Sequence, residues 1–164
     1  MLLEPKLYIE NVTKLNLEVL NKNKVKGLIL DVDNTLIDYD RNPIEGLEKW
    51  CEDLKKNDIK LCILSNSNKK EKVKNLAKKL NIPFIYFAKK PLKTGFKKAK
   101  KILDLKNENI GVVGDQLATD VLGANRCKMF SILVKPISEK DIWITKLKRP
   151  LENFIIRKYI EKNK

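Results

Sequence analysis

The chain has 164 residues, 43% of them hydrophobic and 34% charged, enough to bury a full core as one domain without calling for a second. No apolar run approaches the roughly 20 residues that span a bilayer, and the opening MLLEPKLYIEN carries Glu4 and no basic leader, so a cytoplasmic protein without a transmembrane helix is expected. Histidine is absent, which excludes imidazole catalysis, and Cys51, Cys62 and Cys127 are odd in number, widely spaced and without a CxxC pair, so neither a disulfide framework nor a zinc site is indicated.

Lys and Arg outnumber Asp and Glu by 35 to 21, a formal charge of +14. That balance fits an anionic partner such as nucleic acid or an anionic membrane. It fits equally well a chain rich in Lys, Asn and Ile whose lysines sit on solvated helix faces.

In chain order, residues 1–24 form an N-terminal extension, and the core begins at 25. KGLILDVD is a short apolar run, as expected of a strand buried on both faces. Leu47, Trp50, Cys51 and Leu54 then recur at helical spacing behind Pro43. IKLCILSNS is a second strand; Val73, Leu76, Ala77 and Leu80 are a second helical stripe, closed by Asn81 and Pro83. FIYFAKKP reads as a third strand, followed by the stripe Leu92, Phe96, Ala99 and Leu103. NIGVVGDQ is the fourth strand, Thr119 to Arg126 a short helix, and MFSILVKP the fifth strand, ending the core at 136. Strands alternating with helices predict a three-layer α/β domain with a central parallel sheet and right-handed crossovers.

In such sheets ligands bind at the carboxyl ends of the strands. The first strand ends in Asp31 and Asp33, with Thr35 beyond; the second in Ser65, Asn66 and Ser67; the third in Lys89, Lys90 and Pro91; the fourth in Gly114 and Asp115, with Asp120 following. Each piece alone is ordinary turn or capping material. Four such pieces on consecutive strand ends are not explained by capping. Asp38 and Asp40, by contrast, read as a solvated flap after the first strand.

DVDNTL, SNS, KP and GDQLATD, in this order and at these spacings, resemble the four motifs of the haloacid dehalogenase (HAD) superfamily of phosphohydrolases. With DRNP after the first motif and KKPLKTGFKKA around the third, the chain is similar to the subfamily IIIA phosphatases of the YqeG family over residues 3 to about 160. The resemblance implies a Rossmann-like HAD fold and a Mg²⁺ site, for which hard oxygen donors are the right chemistry. It implies Asp31 as metal ligand and nucleophile, and Asp33 as acid/base that also lends its backbone carbonyl to the metal. Asp115 becomes the second carboxylate ligand and Asp120 an outer acid of the metal site. Lys90 becomes the cation facing the phosphoryl group, with Ser65, Asn66 and Thr35 around the substrate. Spacing alone leaves Lys89 open as the catalytic amine; the Lys-Pro match favours Lys90.

About 30 residues separate the first two motifs, and one helix fills them, so no substantial cap domain fits. An open site suits a large substrate. The resemblance points to phosphatidylglycerophosphate, which would place the enzyme peripherally on the inner face of the membrane. Phosphorylated nucleic-acid ends or soluble nucleotides are the second possibility, weakened by few expected exposed aromatics for base stacking. A non-catalytic basic module on RNA or membrane is the third. The basic amphipathic segment 137–164 bears on this: Pro150 fits the first turn of a helix carrying Leu151, Phe154, Ile155 and Tyr159, with Trp143, Arg149, Arg157 and Lys158 as interfacial anchors. A helix packed on its own domain fits the same pattern.

Overall fold

The computed structural model describes residues 2–138 and 143–164, with the side chains of 143–149 outside that description. Six strands form one parallel sheet: β1 (Leu7–Ile9), β2 (Gly27–Leu30), β3 (Lys60–Leu64), β4 (Phe84–Ile85), β5 (Ile110–Gly114) and β6 (Phe130–Val134), in the order β1-β6-β5-β2-β3-β4. The helices are α1 (Leu17–Lys22), α2 (Leu47–Lys56), α3 (Lys70–Leu80), α4 (Lys93–Leu103), α5 (Leu122–Arg126) and α6 (Trp143–Lys162).

The central strands read as unbroken apolar runs because both faces are covered, and alternate residues sort into two cores. Leu28, Leu30, Leu61, Ile63 and Val113 pack with Leu47, Leu54, Val73 and Leu76 on one face. Ile29, Cys62, Leu64 and Val112 pack with Phe96, Ala99, Leu103 and Ala124 on the other. The result is the three-layer Rossmann-like fold, and only α2 stands between the first two strand-end motifs as an element of any length, so no substantial cap covers the site. The three cysteines are buried and unpaired, and burial pushes the Cys62 thiol up to about 12.

Three local details differ from the sequence-based expectation. Leu7–Ile9, within the predicted N-terminal extension, adds a sixth, edge strand to the sheet. The strand predicted through FIYFAKKP stops at Ile85, because the Phe87 N–H donates to Ser67 O at 2.8 Å and turns the chain away from the sheet. Helix α6 starts at Trp143 and runs through Pro150, which is solvent-exposed, instead of starting there. Its Ile155 is buried against Leu117, Val121 and Leu133, so the helix packs on its own domain while Leu151 and Phe154 remain exposed. Trp143 and Arg149 of the predicted interfacial segment lie outside the described side chains.

Candidate active site

All four motifs arrive at the carboxyl edge of the sheet. The Asp31 N–H donates to Val113 O at 2.9 Å, continuing the β2–β5 pairing to the end of the strand. The chain then turns tightly: Leu36 N–H returns to Val32 O, Asn34 takes a left-handed φ of 60°, and Asp31 and Thr35 come together. The Thr35 hydroxyl donates to Asp31 Oδ2 at 3.2 Å.

Lys90 is the centre of the site. Its ammonium group, buried to 2% exposure, donates to Asp31 Oδ1 at 2.9 Å and to Asp120 Oδ1 at 2.7 Å. Asp31, Asp115 and Asp120 each bring a carboxylate oxygen within 4.8 Å of the other two. Lys89 does not compete for this position: it is exposed, with its Nζ 5.1 Å from the centroid of the Phe87 ring.

The placement of Asp120 depends on two backbone features. Gln116 leads into a π-helical turn over Leu117–Val121 that replaces the start of the predicted Thr119 helix, and Asp120 N–H donates to Gln116 O while Gln116 N–H donates back to Asp120 Oδ2. Gly114 makes room: a Cβ there would collide with the Asp120 carboxyl group. The sequence indicated Gly114 only as a strand end.

Three acids around one lysine leave excess negative charge. Burial, reinforced by Asp31 and Asp120, raises the Asp115 carboxyl well above the ordinary range. Burial and Asp31 push Asp120 up to about 6, against the opposing pull of Lys90. Burial by itself would lower the Lys90 pKa, but Asp120 and Asp31 more than offset it and the amine is raised. An all-oxygen donor set under like-charge strain fits a hard divalent cation of the Mg²⁺ type.

The remaining predicted residues divide by what holds them. Asn66 grips the backbone of Lys90, its Oδ1 accepting from Lys90 N–H at 2.7 Å and its Nδ2 donating to Lys90 O at 3.1 Å, so it orients the lysine. Ser65 is buried at the same strand end; its Oγ accepts from Ser67 N–H at 3.1 Å, which leaves the hydroxyl proton for an incoming oxygen. Asp33 stands apart from the acidic cluster, half exposed, and is held by Lys72 of α3 at 2.7 Å. Lys72 was invisible in the sequence, where it is one lysine among many on an amphipathic helix. The expectation of few exposed aromatics near the motifs is corrected: Tyr39, Tyr86 and Phe87 stand exposed on the loops after β2 and β4.

Comparisons with known proteins agree with this geometry. The family model described as mitochondrial PGP phosphatase matches residues 1–137. The chain is 42% identical over 153 residues to "Probable phosphatase YqeG" of Bacillus subtilis, covering 93% of this chain and 88% of that protein. Among solved structures, an uncharacterised protein from Listeria monocytogenes superposes with a TM-score of 0.57 at 20% identity, over 72% of this chain and 85% of its own. A hypothetical protein from Xanthomonas campestris gives 0.53 at 15% identity, over 84% and 78%. These two likenesses concern the fold alone.

Proposed function

Because this chain belongs to the mitochondrial PGP phosphatase family and is a phosphatase of the HAD type, we propose that it hydrolyses the phosphomonoester of phosphatidylglycerophosphate, giving phosphatidylglycerol, by way of an aspartyl-phosphate on Asp31 and with Mg²⁺ as cofactor. The observation that carries this reading is Lys90 bridging Asp31 and Asp120 with Asp115 beside them. A carboxylate that can serve as nucleophile, a fixed cation and a metal-competent acid set at one edge of the sheet support this reading.

Asp31, Asp115 and the Asp33 backbone carbonyl would hold the ion, with Asp120 orienting its surroundings. Bound there, Mg²⁺ would neutralise phosphoryl charge and let carboxylates and a dianion coexist. A carboxylate oxygen of Asp31 attacks phosphorus as the bond to the leaving oxygen breaks, and Asp33 gives that oxygen its proton. Water then attacks the same phosphorus, Asp33 takes its proton, and the bond to Asp31 breaks to release inorganic phosphate. Lys90 and the Ser65 hydroxyl stabilise charge on the phosphoryl oxygens in both steps. Thr35 holds the Asp31 carboxylate, and Asn66 holds Lys90.

The open edge supports a substrate too large for a capped site, and the family's name supports the lipid. No helix among the described residues is long and apolar enough to cross a membrane, so the enzyme would meet its lipid from the surface. The test is Mg²⁺-dependent phosphate release from phosphatidylglycerophosphate in vesicles, beside nucleotides and a 3′-phosphorylated oligonucleotide. Faster release from the lipid is expected. Release confined to the nucleotide or oligonucleotide would keep the chemistry and reject the substrate.

A further inference from the structure

We propose that the loop after β4, residues 86–92, is the membrane-docking rim of the site, which seats the carboxyl edge of the sheet on an anionic lipid surface. The proposal rests on the lipid-phosphatase reading of the same site and names the surface through which the lipid is reached.

This loop shows the solvent an unusual set of side chains for a segment so near a buried ion cluster. Phe87 is 54% exposed and Leu92 53% exposed, with Tyr86 at 38%, while Lys90 between them is buried on Asp31. Tyr39 is 60% exposed on the loop that leaves β2. Exposed apolar groups scattered singly need no explanation, but here three fall within seven residues of one loop. The backbone of this loop is left-handed at two non-glycine positions. Phe87 has a φ of 49° and Lys89 of 56°, a region that bulky side chains rarely adopt. The loop is fixed in place by Phe87 N–H on Ser67 O and Ala88 N–H on Ser65 O, at 2.8 and 2.9 Å.

The charge around these rings selects the partner. Lys89 lies 5.1 Å from the Phe87 ring centroid and Lys70 5.8 Å from that of Tyr86. Residues 86–103 hold seven lysines and no acid. Aromatic rings interleaved with lysines are the composition of an interfacial anchor on anionic lipid, where rings enter the headgroup layer and ammonium groups meet phosphates. A single-stranded nucleic acid would want free ring faces for stacking. Two of these rings already have a lysine nearby, and Leu92 offers no face to stack.

The test compares the wild type with the double variant Phe87→Asn, Leu92→Ser, chosen because Asn tolerates the left-handed backbone at position 87. Vesicles of phosphatidylcholine, with or without phosphatidylglycerol, are the probe, and hydrolysis of p-nitrophenyl phosphate is followed in the same preparations. The wild type is expected to cosediment with the anionic vesicles in a salt-sensitive way, and the variant to partition about 10-fold less or weaker still, with hydrolysis of the soluble ester unchanged. Lys70→Gln with Lys89→Gln is a second variant, expected to lose the preference for anionic over neutral vesicles. Absence of wild-type binding, equal partition of wild type and variants, or tighter binding to an oligonucleotide that displaces vesicles would each overturn the rim. Phosphate release from the lipid substrate is scored separately: a wild type that docks through this loop yet leaves phosphatidylglycerophosphate intact sinks the substrate and leaves the docking surface standing.

Discussion

Lys72, on the first turns of α3, donates to Asp33 Oδ1 at 2.7 Å, across 39 positions of sequence. The lysine is 12% exposed and the aspartate 54%. The pair ties the proposed acid/base carboxylate to a rigid helix while leaving it open to substrate. An ion pair this exposed is worth about 1 kcal/mol or less in stability, so its value lies in where it holds Asp33. Lys72→Met is expected to melt within a few degrees of wild type while kcat on a soluble phosphomonoester falls about 10-fold with little change in KM, and Lys72→Arg is expected to restore most of it. An unaltered kcat in Lys72→Met would mean that Asp33 needs no fixed position.

Among the described residues, Lys90 is the one cation paired with Asp31 and Asp120. Lys90→Met leaves the buried acids without it, which costs about 3–5 kcal/mol in metal-free protein. Added Mg²⁺ should narrow the difference in melting temperature by binding the folded form. Phosphate release should fall by about 100-fold or more. With a soluble phosphomonoester as substrate, Lys89→Met should match the wild type in both measurements, since Lys89 is exposed beside Phe87 and away from the buried acids. The reverse outcome would exchange their roles.

The pH dependence of stability follows from the buried acids. Asp120 has its pKa pushed from the ordinary 3.8 up to about 6, and Asp115 is raised as well, so the folded state holds protons that the unfolded chain gives up. Asp120 therefore makes metal-free protein lose stability as pH rises from about 4 through about 6, and Asp115 adds a loss in the same direction. Asp115→Asn removes one of them. In the presence of a chelator it should melt above wild type at pH 7, with the gap closing toward pH 4. Mg²⁺ at pH 7 should raise the wild-type midpoint and leave the variant nearly unmoved. A chelated Asp115→Asn that melts below wild type at pH 7 would contradict the assignment of excess negative charge to this cluster.

Gly114 gives a steric test of the same cluster. Gly114→Ala forces a Cβ into the Asp120 carboxyl group and must displace it from Lys90. Activity should fall at least about 10-fold while the secondary structure stays that of the wild type. Wild-type turnover would show that Asp120 is not needed where it stands.

The sheet was legible because fully buried strands leave long apolar runs, and the helices because Leu47 to Leu54 and Val73 to Leu80 keep a period near 3.6. The site was legible because strand ends concentrate polar groups at one edge. The features that escaped are those in which position comes from tertiary contacts. The strand Leu7–Ile9 is three half-buried residues with no periodicity to read. The turn at Phe87 is imposed by a hydrogen bond to a residue 20 positions earlier. The clamp of Asn66 on the Lys90 backbone depends on a loop meeting that no local pattern encodes. Lys72 is one of many lysines until α3 is set beside the first motif.

The central claim is that Asp31 carries the phosphoryl group. The most direct measurement incubates wild type and Asp31→Asn with Mg²⁺ and vesicles containing phosphatidylglycerophosphate labelled in its terminal phosphate, then follows both released phosphate and label retained on acid-quenched protein. Wild type should release phosphate and retain label on Asp31 in the quenched chain. Asp31→Asn should do neither, with release lower by about 10⁴-fold or more and the fold intact. Sustained release by Asp31→Asn would contradict the account.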